Sequence, residues 1–261
     1  ASWSSESATW LLTVDAGGET VYFTSHFLLM CSGYYNYDAG HQPEFDGREN
    51  FKGTWVHPQF WPEQLDYTGK KVVVIGSGAT AMTLVPNMAT TAEKVTMVQR
   101  SPTYVVSRPS VDKFANFLRA MLPASWAYGL VRFRNTVWQQ LIYNQTRTNP
   151  ERVTQTLLDD VEKAVGDVLD VKKHFTPTYN PWDQRLCLVP DDDLFTALRS
   201  GKADVVTDTI SHIDETGLVT GSGEHVEADI IVSATGIELL KCGEAAFIVD
   251  GKSINFADEW T

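Results

Sequence analysis

Cysteine is scarce in this chain: Cys31, Cys187 and Cys242 are the only three in 261 residues. An odd count at wide spacing excludes a disulfide framework and offers no clustered thiols to zinc, so no metal site is expected. No Cys-x-x-Cys occurs, which argues against a redox dithiol. Basic charge is also short, with 21 Lys and Arg against 33 Asp and Glu and a net charge of −12. That balance argues against a broad nucleic-acid or anionic-membrane surface. Long apolar runs are missing too. Phe27-Leu28-Leu29-Met30 is far too short for a membrane span, and no transmembrane segment is expected. A reducing cytoplasm is the expected compartment. The chain opens on Ala1 without a signal-like segment and stops at Asp258-Glu259-Trp260-Thr261, so a piece of a longer protein is expected.

What is present is apolar and aromatic: 43% hydrophobic residues, with 8 Trp, 9 Tyr and 12 Phe, enough for one large or two modest cores. The chain is organised around Gly69 to Met82. Val72 to Ile75 reads as a strand buried on both faces; Gly76-Ser77-Gly78-Ala79-Thr80-Ala81 follows, and Ala79 to Ala89 reads as a helix. Gly76 permits the tight turn out of the strand. Gly78 has no Cβ, so a pyrophosphate can approach the backbone. Ala81 is small enough for helix to pack on strand, and the free amides at the helix start face the phosphates. A GxGxxA placed between a buried strand and a helix is far more specific than the pattern alone.

The next strand selects the ligand. Glu93 to Val98 ends in Gln99-Arg100-Ser101-Pro102. A site for NAD usually has a carboxylate there, on the ribose 2′-hydroxyl. A guanidinium pairs instead with a 2′-phosphate, so NADP(H) is the expected ligand.

Elsewhere, residues 1–30 read as short strands, with a hairpin over Trp10–Val14 and Val21–Phe23 and an apolar strand over Phe27–Cys31. Asn36 to Asn50 reads as a polar linker, and 51–62 as a loop whose aromatics must pack on something. From Ser110 to Phe175 the period is helical, with breaks at Pro123 and Asn149-Pro150. The aromatic and leucine stripe there is expected to be core. Strands return at 203–210, 218–220 and 225–227, and Asp229 to Ser233 leads into Ala234-Thr235-Gly236. Gly221-Ser222-Gly223 reads as a hairpin turn only.

Phe51-x-Gly53-x-x-x-His57-x-x-x-Trp61-Pro62 matches in full the fingerprint of the class B flavoprotein, or Baeyer–Villiger, monooxygenases, and Ala234-Thr235-Gly236 resembles a turn of the wider flavin monooxygenase class. The resemblance covers nearly the whole chain. It implies an α/β, Rossmann-like NADPH-binding domain over 69–236 with a helical insertion at about 110–175. It further implies a remnant of an FAD-binding domain over 1–50, a linker carrying the fingerprint over 51–68, and the return to the FAD domain over 237–261. In such enzymes FAD takes hydride from NADPH and reacts with O2, and the flavin peroxide converts a ketone to an ester or lactone, or oxygenates a sulfide. The family's own FAD fingerprint is absent here, so FAD belongs to the complete parent protein.

By the same resemblance Gly76, Ser77, Gly78, Ala79, Thr80, Ala81 and Met82 match the pyrophosphate loop, and Arg100 and Ser101 the 2′-phosphate contact. Arg185 matches the active-site arginine, a fixed cation for developing negative charge. Many relatives have Lys-Arg-Pro there; this chain has Gln184-Arg185-Leu186. Asp183 and Asp191 are the alternative partners for that charge. His57 is read as a domain-junction residue rather than a general base, Trp61 as an anchor, and Cys187 as catalytically inert. The alternative to an oxygenase is a module that binds NADP and is inactive alone because its flavin site is truncated.

Overall fold

The computed structural model describes residues 1–255, so the last six positions of the expected return segment lie outside the described residues. The chain divides into two compact units, one of residues 42–236 and one of residues 1–41 with 237–261.

The larger unit is built on a five-stranded parallel sheet. In chain order its strands are β1 (Thr54–Val56), β2 (Lys71–Ile75), β3 (Lys94–Gln99), β6 (Ala203–Thr207) and β10 (Ile230–Ser233), after β4 (Tyr104–Arg108) and β5 (Leu186–Pro190) and the small antiparallel strands β7 (Ile210–Ile213), β8 (Gly217–Thr220) and β9 (His225–Glu227) are counted. The spatial order is β6-β3-β2-β10-β1. Every neighbour in it is parallel, with Val72 beside both Val95 and Ile230. Parallel sheets need both faces covered, which is why β2 and β10 are almost uniformly apolar. On one face Val72, Val74, Val95, Met97, Val205 and Val232 pack with Ala81, Met82 and Val85 of α1 (Ala79–Met88) and with Leu194 and Phe195. On the other, Val73, Ile75, Val98 and Ile231 pack with Ile213, Leu218 and Val226 of β7–β9. The period of two along each strand deals alternate side chains to the two cores.

Between β4 and β5 the chain is helical: α2 (Lys113–Met121), α3 (Ala124–Thr148), α4 (Pro150–Val165) and α5 (Val171–His174), with α6 (Asp193–Arg199) after β5. Asp112 caps α2 through its carboxylate on the Ala115 N–H. Pro150 opens α4, as expected from its fixed φ.

The expected core stripe of α3 is not core. Only Ala127 and Thr146 of its 25 residues are buried, while Trp126, Leu130, Phe133, Val137 and Leu141 are exposed. The loop reading of 51–62 also missed β1. Its Thr54, Trp55 and Val56 pair with Ile230, Ile231 and Val232 and close the sheet on that edge.

The smaller unit has the expected hairpin, Thr9–Ala16 with Glu19–Ser25, in a sheet with Ser2–Ser4, Phe247–Val249 and Lys252–Ile254. Phe27–Cys31, expected as a strand, is irregular and largely exposed; no described strand lies beside it to take its backbone hydrogen bonds. The polar linker instead contains a strand, Tyr35–Gly40, paired with Ile237–Leu239 some 200 residues on.

Candidate functional site

In this sheet β2 is the switch point. From it the chain proceeds outward to β3 on one side, while β10 and β1 lie on the other. Open α/β sheets bind ligands at the carboxyl end of such a crevice. Two turns meet there. Gly76 leaves β2 with φ +126°, and a Cβ on it would lie 2.4 Å from the Ala234 carbonyl oxygen, in the turn that leaves β10. Only glycine satisfies both the dihedral and the close approach. Gly76 also donates its N–H to the Val98 carbonyl, 2.8 Å away, which ties the loop to the end of β3.

Gly78 is the N-cap residue of α1, with extended backbone, and no side chain caps that helix. The Met82 N–H is spent on the Gly78 carbonyl at 3.0 Å, inside the helix. The amides of Gly78, Ala79, Thr80 and Ala81 are those that an α-helix leaves without an intrahelical acceptor, at the positive end of its dipole. The seven residues expected at the pyrophosphate therefore play different parts. Ala79 and Thr80 are exposed, whereas Ala81 and Met82 turn their side chains into the core. Met82 contributes packing, and its amide is not free.

Ser77 is buried under this loop. Its hydroxyl reaches the Ser101 carbonyl at 3.5 Å and accepts from the Arg185 guanidinium at 3.2 Å. Arg185 also donates through Nε to the Thr103 hydroxyl at 3.4 Å. Its Nη1 lies 3.3 Å from where a Gly78 Cβ would be, so the guanidinium rests against the bare backbone of that glycine. The structure thus brings Arg185 onto the loop between β2 and α1. Asp183 is engaged by Arg147 at 2.6 Å and Asp191 by Ser110, so neither alternative partner holds Arg185. Sequence spacing gave no sign of Thr103, which lies 82 residues from Arg185 and meets it because β4 and β5 run parallel, Tyr104 beside Leu186. The Arg185 carbonyl is held by the Tyr179 hydroxyl at 3.0 Å. Beneath the loop, Cys187 directs its thiol at the Ser77 carbonyl, 3.9 Å away, and burial pushes its pKa up, against a smaller lowering by Arg185. A thiol so placed is a poor nucleophile.

Arg100 follows β3, between Val98, whose carbonyl holds Gly76, and Ser101, whose carbonyl meets Ser77. It is exposed and makes no ion pair among the described residues. Gln99, its neighbour at the place where a ribose would be read, turns inward instead. It is 2% exposed, and its amide donates to the His174 carbonyl at 2.7 Å and the Thr207 hydroxyl at 2.9 Å. The Thr207 hydroxyl also pairs with His174 Nδ1 at 2.8 Å. Burial, followed by Lys173, lowers the His174 pKa from 6.5.

His57 lies at the far edge. Nδ1 accepts from the Gln59 N–H at 3.2 Å, so Nε2 carries the proton and donates to the Gly236 carbonyl at 3.1 Å. With both nitrogens occupied, the ring holds the last residue of the larger unit in place and has no lone pair free for a substrate.

A family model for the flavin-binding monooxygenase-like proteins (FMO-like) matches residues 1–240. The chain belongs to that family. It is 48% identical to the FAD-containing monooxygenase EthA of Mycobacterium tuberculosis over 256 residues, 98% of this chain and 52% of the relative. It is 49% identical to the probable FAD-binding monooxygenase AlmA of Acinetobacter baylyi, over 98% of this chain and 51% of the relative. The chain thus spans about half the length of the curated relatives it matches. Among solved structures, OTEMO in complex with FAD and NADP superposes with a TM-score of 0.69 at 17% identity, covering 96% of this chain and 55% of the other. An oxidized steroid monooxygenase bound to NADP gives 0.63 at 22% identity, over 84% of this chain and 48% of the other. These likenesses establish the α/β fold of the flavoprotein monooxygenases for this member of the family.

Proposed function

We propose that residues 42–236 bind NADPH, and that the chain is the NADPH-handling part of a flavin-dependent monooxygenase. The pyrophosphate would rest on the amides of Gly78 to Ala81, Arg185 would face it, and Arg100 with Ser101 would take the 2′-phosphate. The observation that carries this reading is an uncapped helix N-terminus just beyond the obligatory close approach at Gly76, at a switch point, with an arginine that makes no ion pair among the described residues at the neighbouring strand end. The residues present fit the group. The loop has bare backbone where phosphate oxygens need donors, and both nearby cations keep charge to spare.

The proposed reaction of the parent enzyme inserts one oxygen atom from O2 into a ketone, giving an ester or lactone, or places it on a sulfide. The relatives' own names, FAD-containing and FAD-binding, support the flavin. When bound, FAD supplies the electron transfer from NADPH to O2. The described residues hold no second strand–glycine–helix unit for it, and no residue of this chain is assigned to it. What this chain does is bind and orient the dinucleotide and hold a cation, Arg185, fixed by two hydroxyls, where negative charge must be stabilised. The same observation supports the second reading, an NADP-binding module without turnover of its own.

Titration of the chain with NADPH and NADH tests the binding. Arg100→Ala should weaken NADPH about tenfold or more and leave NADH nearly unchanged, since only NADPH offers the 2′-phosphate to a charged donor. Arg185→Ala should weaken both, because the pyrophosphate is common to them. Equal weakening by Arg100→Ala would refute the 2′-phosphate assignment. Consumption of NADPH with a ketone by the chain alone would refute the inactive module.

A further inference from the structure

Arg185 is exposed, and no carboxylate pairs with it among the described residues. A long, exposed side chain has many rotamers, and a cation stabilises charge at one place only if its stem is held as well as its head. The Ser77 and Thr103 hydroxyls hold the head. The stem is set by the backbone of the segment between α5 and β5, and that segment is closed on itself.

The Tyr179 hydroxyl donates to the Arg185 carbonyl at 3.0 Å, six residues along the chain. Inside this ring the Asp183 N–H donates to the Asn180 carbonyl at 3.0 Å, and Pro181 bridges to Gln184. Trp182, at its tip, has φ +69°, a left-handed conformation that a bulky residue keeps only where its surroundings impose it.

The ring is anchored on two helices. Arg147 of α3 binds Asp183 at 2.6 Å, but both side chains are exposed, and salt screens such a pair. The second anchor starts from a buried residue. Tyr104, 2% exposed, donates to the Tyr179 carbonyl at 2.8 Å, and its hydroxyl also pairs with that of Thr154 on α4 at 3.2 Å. The Tyr104 and Tyr179 rings stand edge to face, 5.4 Å between centroids and at 88°. Tyr104 follows Thr103 directly. One of these neighbours bonds the guanidinium, and the other bonds the segment that carries it.

We propose that Tyr104 and Tyr179 are positioning residues for Arg185. Their hydroxyls lock residues 179–185, so that the guanidinium already lies against the loop between β2 and α1 when nucleotide arrives. A side chain ordered in advance loses less freedom on binding, and that difference is their contribution to affinity. This role rests on the reading that Arg185 faces the pyrophosphate.

Calorimetric titration of the 261-residue chain with NADPH and NADH tests it in a double-mutant cycle. Tyr179→Phe keeps the ring and removes only the hydroxyl. It should weaken NADPH and NADH alike, by about threefold to tenfold, the worth of one hydrogen bond. Tyr104→Phe should do the same. Placed in Arg185→Ala, neither change should weaken either nucleotide by more than about 1.5-fold, because the side chain they position is gone. A purely structural role would lower affinity in both backgrounds. Thermal melts check that the variants fold, and if Tyr104→Phe does not, Tyr179→Phe decides alone. Unchanged affinity in Tyr179→Phe, or equal loss with and without Arg185, overturns the positioning role and leaves the nucleotide site standing. Unchanged affinity in Arg185→Ala overturns the reading beneath it, and the positioning role falls with that.

Discussion

At the residue scale the two loop glycines do different work, and substitution separates them. Gly76 has φ +126° and a carbonyl 2.4 Å from any added Cβ. Gly76→Ala should therefore cost about 2–3 kcal/mol of stability, seen as a lower denaturation midpoint with or without nucleotide. Gly78 has an ordinary φ of −79°, and its added Cβ would meet only the far end of Arg185, at 3.3 Å. Gly78→Ala should leave the midpoint within about 0.5 kcal/mol and still weaken NADPH, because the methyl group fills the phosphate approach. The reverse pattern would contradict this division. The glycine pattern, the bounding strand and the helix were legible in sequence because every part lies within 20 residues. Arg185 was legible only by likeness to a family. Its setting on Ser77 and Thr103 was not, since those contacts depend on β4 lying beside β5. Gln99 could not be told from a ligand contact until the structure turned its amide inward to His174 and Thr207.

At the element scale, two places should respond to acid. His174 has its pKa lowered, so the unfolded chain binds a proton more readily and stability falls as pH drops below about 6.5. In His174→Asn that first decline should vanish from a profile of melting temperature against pH. Asp208, held by the Ser222 amide and hydroxyl, and Asp214, held first by the Thr216 N–H, are both lowered to about 2. They pin the ends of the β7–β9 meander, with Ser222 at 2.9 Å from Asp208 and His225 at 2.8 Å from Asp214. Their support is complete above the ordinary value of about 4 and is lost as pH falls through about 2. Asp214→Asn should therefore flatten the profile in that window; an unchanged profile would show that the carboxylate bears no load. The elements hardest to read were those whose partners lie far along the chain. Tyr35–Gly40 is polar, and only Ile237–Leu239 makes it a strand. In α3 the helical period was plain, but the period does not say which side of a helix finds a neighbour, and here Trp126, Leu130, Phe133 and Val137 stay exposed.

At the scale of the molecule, residues 42–236 own both hydrophobic cores of the parallel sheet and the whole candidate nucleotide loop. Produced alone, that segment should melt cooperatively and bind NADPH within about threefold of the whole chain, by calorimetry. A segment that is unfolded by circular dichroism would show that the smaller unit is needed for folding. Where such a segment is cut matters more than its glycine loop suggests. The Phe-Gly-His-Trp signature is also masonry: its Thr54–Val56 covers one whole side of Ile230–Val232. A piece begun at Gly69, where the glycine motif starts, would leave a strand buried along its whole length with a raw margin of unpaired amides and carbonyls. Molecules in that state find each other, and such a trimmed protein should precipitate while the longer one stays clear.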